Sequence, residues 1–515
     1  MSKQIVYVDK LQKKWRVIHM KKGIKYLVSI IIAVMIFILA TNIFAIEKSS
    51  YTDATQTRQG KTYEWKNWCE EWEKIKNSPT QMSLSPGEDE TQLNFAWYSK
   101  SCDVKPNLKI SDNPKMEDAK ALQVITTKAS DEYKTNKATA TNLKSNTRYY
   151  YSYTINGKWT EPALYKTKNT KRYTFGFVGD PQIGASYRNM NGETELEKQD
   201  KAVRNDSFNW NNTIKNMIRR NCDLSFIISA GDQIQSGYKK NESYDHNEIE
   251  YAGYLSPCAL KSIPIATTIG NHDENSENYS YHFNLPNKSK LGSTVAGGNY
   301  YYRYGNTLFI MLNTNNENID EHKKFIECVT KLNKDARWKV VTMHHDIYGS
   351  GEHSSTPSVV KLRYKLIPIL EKNNIDVVLS GHDHIYSRSY ILKGGKLDKN
   401  DMLSDKEYEK YAKGNKNSNK KYKKYLQSIE DEEAIESKEL MCATNPKGIL
   451  YITANSSSGS KYYDLAPNQQ AYIAYRWQEN VPTYSMIDVT DRAFTINTYR
   501  VDNNKKIDTT FTIIK

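Results

Sequence analysis

The stretch IDVVLSGHDHIYSR, residues 375–388, runs from a β-branched apolar core into the polar cluster Gly381-His382-Asp383-His384. A short apolar run bounded by glycine reads as a buried strand, and the cluster falls where that strand ends. Four other stretches have the same form: RYTFGFVGD (172–180), LSFIISAGD (224–232), IPIATTIGNHD (263–273) and RWKVVTMHHD (337–346). Amphipathic segments separate them, among them SFNWNNTIKNMIRRN (207–221), DEHKKFIECVTKLNKD (320–335) and VVKLRYKLIPILEKNN (359–374). Strands alternating with helices predict an α/β layered domain over 171–515. In open α/β sheets ligands gather beyond the carboxyl ends of strands. The chain has ten histidines, and four of them (His272, His344, His382, His384) stand at such ends.

Aspartate, asparagine and histidine together make a mixed oxygen and nitrogen donor set suited to Mn, Zn, Fe or Ni. A bridging carboxylate can hold two such ions ~3.5–4 Å apart, the arrangement of two-metal phosphate chemistry. One such cluster alone is a turn; five in the same position predict a dinuclear site.

Upstream, residues 79–168 break into short alternating segments (QLNFAWYS, ALQVITTKA, KATATNL, RYYYSYTI, ALYKTK) separated by turn residues, the pattern of an antiparallel all-β sandwich. In TNLKSNTRYYYSY, Tyr149 stands where a corner tyrosine can bond the preceding backbone. Within the 47–78 linker, Trp65, Trp68 and Trp72 recur at helical spacing, predicting a short helix docked on the domain that follows. Residues 393–446, rich in Lys, Asp, Glu and Tyr, read as a solvated surface insertion, partly helical or mobile.

The formal charge is +14, but half of that excess lies in the first 25 residues. The remainder is scattered, so no nucleic-acid partner is expected. After the basic tail 1–22, residues 23–46 carry a single charge, Lys25 near their start, and match the ~20 apolar residues of a membrane-crossing helix, either an anchor or a signal peptide. Lysines ahead of it predict a cytoplasmic N-terminus, membrane partnership through the anchor, and everything else on the extracellular side of the plasma membrane or secreted. Six widely spaced cysteines contain no CxxC pair; they are expected either as up to three disulfides or as buried thiols.

The order GDPQ, GDQ, GNHD, VTMH and GHDH resembles the signature of calcineurin-like metallophosphoesterases, and GHDHIYSR together with the upstream fibronectin type III-like domain resembles their purple acid phosphatase branch. The resemblance runs from about residue 79 to the C-terminus, apart from the insertion. It implies a catalytic domain of two mixed sheets flanked by helices and hydrolysis of a small phosphorylated substrate by water activated at two divalent ions (Mn, Zn or Fe(II)). Carried over motif by motif, it places Asp180 and His384 on the first metal, Asp232 between both, and Asn271, His344 and His382 on the second. His272 becomes the acid or electrostatic stabiliser, Asp273 its orienting partner, and His353 a substrate-facing histidine. Two positions depart from the pattern: Gln182 replaces the histidine of the first motif in many relatives, and Gln235 replaces the colour-giving tyrosine of the purple enzymes. A colourless enzyme using divalent ions is therefore expected, with Gln182 coordinating through its amide oxygen or holding a water. The motifs leave monoester and diester hydrolysis both open, as well as an adhesion protein with a structural metal site.

Overall fold

A computed structural model describes residues 59–78, 80–236, 244–397, 399–413 and 419–515. The expected anchor or signal at 23–46 lies outside the described residues. Among the described residues no helix is long and apolar enough to cross a membrane.

Two sheets face each other at the centre. One has seven strands: Arg172–Val178 pairs in parallel with Ile227–Ser229, which pairs with Ile265–Thr267, while Thr483–Thr490 from the C-terminal region closes antiparallel on Arg172–Val178. The other has eight, with Thr307–Leu312, Trp338–Met343, Val377–Ser380 and Ile449–Thr453 in parallel sequence. The strand period of two sorts the side chains. On Thr307–Leu312, Phe309 and Met311 join the core between the sheets, whereas Leu308, Ile310 and Leu312 face a second core containing residues of helices Ile319–Leu332 and Pro357–Lys372. Helix Glu195–Arg220 covers the outer side of the seven-stranded sheet's core through Trp210, Ile214 and Met217, all buried.

The β-rich segment ahead of these layers forms sheets of four and five strands around a core of Leu84, Phe95, Trp97, Leu108, Tyr151 and Tyr153. The Tyr149 hydroxyl accepts the Lys144 backbone N–H at 2.8 Å, the corner bond read from the sequence. This sandwich rests on the α/β layers: the Tyr151 hydroxyl donates to the Lys261 carbonyl at 2.8 Å.

Three expectations require correction. Helix Tyr63–Ile75 docks on helix Glu195–Arg220, not on the sandwich next to it in sequence. Trp68 Nε1 donates to the Arg204 carbonyl and Trp72 Nε1 to Asp200 Oδ1, both at 2.7 Å, because a buried indole needs an acceptor that the polar helix supplies. The insertion is partly helical, as expected, but it is not merely solvated. Its helices Asp405–Lys413 and Lys420–Ser428 bring Tyr422 and Tyr425 into a cluster with Leu403, Ile429 and Val360 of helix Pro357–Lys372. Finally, no disulfide joins any of the six cysteines; five are exposed, and only Cys69 packs, partly buried, against the core.

Candidate metal centre

All five strand ends arrive at one place. Asp180, Asp232 and His344 are fully buried, and one ligand atom from each lies within 4.8 Å of the others. His344 Nε2 is 2.9 Å from Asn271 Oδ1, 3.1 Å from His382 Nδ1 and 3.4 Å from Asp232 Oδ1. His384 Nε2 lies 3.6 Å from Asp180 Oδ1. Residues separated by up to 204 positions in sequence therefore point donor atoms into one small volume.

The backbone bends to achieve this. Asp180, Gln182, Asp232, His382 and His384 all have positive φ, between 36° and 74°. Non-glycine residues pay on the order of 1–3 kcal/mol each for such conformations, and these persist where the surroundings over-determine them. The glycines before the polar residues serve a second purpose. A side chain on Gly270 would run into the Asp232 carboxylate, and one on Gly381 into Asp180. They leave room for the carboxylates, while the sharp turns are made by the donor residues themselves and, before Asp232, by Gly231 at φ 99°.

Backbone carbonyls fix the imidazoles. His344 Nδ1 meets the Ala230 carbonyl at 2.9 Å, His384 Nδ1 the Lys461 carbonyl at 2.8 Å, and His272 Nδ1 the Gln235 carbonyl at 2.8 Å. Each Nδ1 therefore carries a hydrogen, which leaves Nε2 as the atom a metal would take once any proton on it is lost.

Electrostatics report crowding. Burial opposes charge on His344, but the Asp232 and Asp180 carboxylates outweigh it and raise the imidazole to about 9. Burial raises Asp180 to about 8, partly offset by His344, while Asp232 is held well below the usual carboxylate range because His344 and His272 outweigh its burial. Burial and the neighbouring imidazoles push His382 far down, and burial with Lys461 lowers His384 to about 3.

These residues fit a pair of divalent cations. The donors are oxygen and imidazole nitrogen, and they crowd to distances at which lone pairs repel unless a proton or cation intervenes. Gln182 adds a buried Oε1 with no hydrogen-bond partner, an orphan acceptor beside the cluster. Its Nε2 donates to Gln235 Oε1 at 3.0 Å.

Of the remaining expected residues, His353 reaches the site: its ring centroid is 4.7 Å from that of His382, and Asp383 Oδ1 holds its Nδ1 at 2.8 Å. Asp273 does not orient His272. Its buried carboxylate accepts the backbone N–H groups of Gly270 (2.8 Å) and Gln233 (3.1 Å), tying two strand-end loops together, and the Gln235 carbonyl takes the orienting role. Sequence reasoning missed Tyr463, whose ring meets His353 at 4.7 Å and His384 at 5.1 Å, and Lys461 beside it. The only signal for them was a small-residue loop, Ser456 to Ser460, following a buried strand.

Residues 173–386 match the calcineurin-like phosphoesterase family, and residues 79–167 match the purple acid phosphatase N-terminal domain. Among curated relatives, purple acid phosphatase 3 of Arabidopsis thaliana is 43% identical over 49 residues, 10% of this chain and 13% of that protein. Probable inactive purple acid phosphatase 9 of the same plant is 25% identical over 287 residues, 48% of this chain and 42% of that one. The chain thus spans well under two thirds of either relative. The solved structure of purple acid phosphatase PPD1 from yellow lupin (Lupinus luteus) seeds shares the fold at TM-score 0.60 and 14% identity, over 85% of this chain and 75% of its own.

Proposed function

We propose, for a chain that carries a calcineurin-like phosphoesterase domain behind a purple acid phosphatase N-terminal domain, the hydrolysis of phosphate monoesters outside the cell at a dinuclear metal site. The observation that carries this reading is the convergence of Asp180, Asp232 and His344 within 4.8 Å, with Asn271 and His382 closing on the same point.

Asp180 and His384, with Gln182 through its unpartnered oxygen, would hold one ion; Asn271, His344 and His382 the other; and Asp232 would lie between them. When bound, the metal pair supplies the positive charge that acidifies water and neutralises phosphoryl oxygens. The protein does the rest. Positive-φ turns preset the donors, so little reorganisation is left for the moment of reaction. His272 keeps its hydrogen on Nδ1 against the Gln235 carbonyl, so a second proton for the leaving alkoxide must reside on Nε2. Burial lowers His272, with Asp232 pulling the other way, which confines that proton to the acid side of neutrality. His353, steadied by Asp383, presents its ring to the same volume.

Export rests on the apolar 23–46 run, uncharged after Lys25, behind its lysines. Metal analysis of the purified chain, combined with mono- and diester turnover before and after chelation, tests the proposal. Chelation should abolish turnover and metal readdition should restore it; a chain that binds metal yet hydrolyses neither ester class would be a binding protein instead.

A further inference from the structure

Lys461 stands on the rim of this site without a carboxylate of its own. Its carbonyl is the acceptor for His384 Nδ1 at 2.8 Å, so its backbone is pinned to the donor cluster. Its Nζ bonds the Tyr463 hydroxyl and lies 4.4 Å from the centroid of that ring, which packs edge-on against both His353 and His384. The half-buried ammonium makes no ion pair among the described residues.

The charges that face it explain what is missing. Asp232 and Asp180 attract it, Arg188 repels it, and Glu352 attracts it from an exposed position on the loop that carries His353. The first two are the carboxylates whose charge bound cations would neutralise. Arg188 is exposed, with its Nε on the Tyr187 hydroxyl at 3.1 Å, and adds to the same positive field. With the metal ions in place, exposed Glu352 is the one of these carboxylates left to face the two cations Lys461 and Arg188, and no ion pair among the described residues joins it to Lys461. A desolvated cation in that position favours a ligand that brings negative charge.

A phosphate monoester is largely a dianion at neutral pH, and a diester is a monoanion. We propose that Lys461 is a specificity-determining residue that contacts the phosphoryl oxygens of the bound ester and favours dianionic monoesters over monoanionic diesters. The inference rests on the phosphoesterase reading and deepens it.

The test compares the metal-loaded full chain with Lys461→Met and Lys461→Arg on p-nitrophenyl phosphate and bis(p-nitrophenyl) phosphate, alongside calorimetric titration with inorganic phosphate. Loss of a hydrogen bond to a charged group predicts that Lys461→Met lowers kcat/KM for the monoester by about 10- to 100-fold and weakens phosphate binding by about tenfold, with little change for the diester. Lys461→Arg should recover most of both. Equal losses on the two esters, or unchanged phosphate affinity, would overturn the assignment. If the parent chain hydrolyses neither ester, the phosphoesterase reading fails on its own, and the phosphate titration still decides the role of Lys461. Lys461→Gln replaces the methionine variant if that one does not fold.

Discussion

Gln182 Nε2 donates to Gln235 Oε1 at 3.0 Å, linking the loops after the first and second site strands. The two departures from the resembled pattern are thus one feature: an amide pair occupies the place of an imidazole and a phenolate. An amide oxygen is a weaker donor than phenolate and does little to stabilise ferric iron. The as-isolated holoprotein and an iron-loaded sample are expected to be colourless, and a visible absorption band in either would contradict this.

Asp232 accepts the His272 backbone N–H at 2.9 Å and lies 3.4 Å from His344 Nε2, placing one carboxylate among donors from three strands. Asp232→Ala should lose metal and turnover together, each by more than about 100-fold. Elemental analysis beside the assay checks it; turnover retained at full metal occupancy would remove Asp232 from the centre.

The metal-free centre holds a proton on His344, raised to about 9 because Asp232 and Asp180 outweigh burial. A metal must displace that proton and, below about 8, the one that burial holds on Asp180, so apparent affinity should rise with pH up to about 9, by at least about tenfold per unit. Metal titrations at pH 6 and pH 8 should therefore differ by at least about 100-fold. A flat profile would mean that His344 is not a ligand.

His272 matters most where the leaving group needs a proton. His272→Ala should cost about 100-fold or more on an alkyl monoester and much less on an aryl monoester with a good leaving group. Equal losses would assign His272 to binding rather than to proton transfer.

Arg388 and Tyr386, the last polar residues of the HDHIYSR run, both turn away from the centre to Asp508 near the C-terminus. Arg388 Nε donates to Asp508 Oδ2 at 2.6 Å and the Tyr386 hydroxyl to the same oxygen at 2.9 Å, all buried. Asp508→Ala strands a buried guanidinium and should cost about 3–5 kcal/mol. Thermal unfolding should show a fall of several degrees, and pairing Asp508→Leu with Arg388→Met should recover part of it. An unchanged melting temperature would refute the role.

The strand ends were legible because each joins an apolar run to its donor residues within about ten positions, so period and chemistry appear together. Asp273 misled because its partners are backbone N–H groups of Gly270 and Gln233, which no side-chain pattern announces. Lys461 was hidden for another reason: a single lysine after a serine-rich loop has no periodicity, and its importance comes only from the loop's return to His384. The insertion's composition suggested solvation, but Tyr422 and Tyr425 are three positions apart on one helix and turn a single face inward among lysines that face out. Tyr425 then donates to the Ser355 carbonyl at 2.7 Å, two residues beyond His353.

Helix Tyr63–Ile75 grips the Glu195–Arg220 helix through Trp68 and Trp72. Any tether entering from the N-terminal side therefore hands its load to the layer that holds the site strands, bypassing the sandwich. Pulling or anchoring the protein from that end would load the layer that carries the donor cluster directly, with the β-sandwich off the line of force.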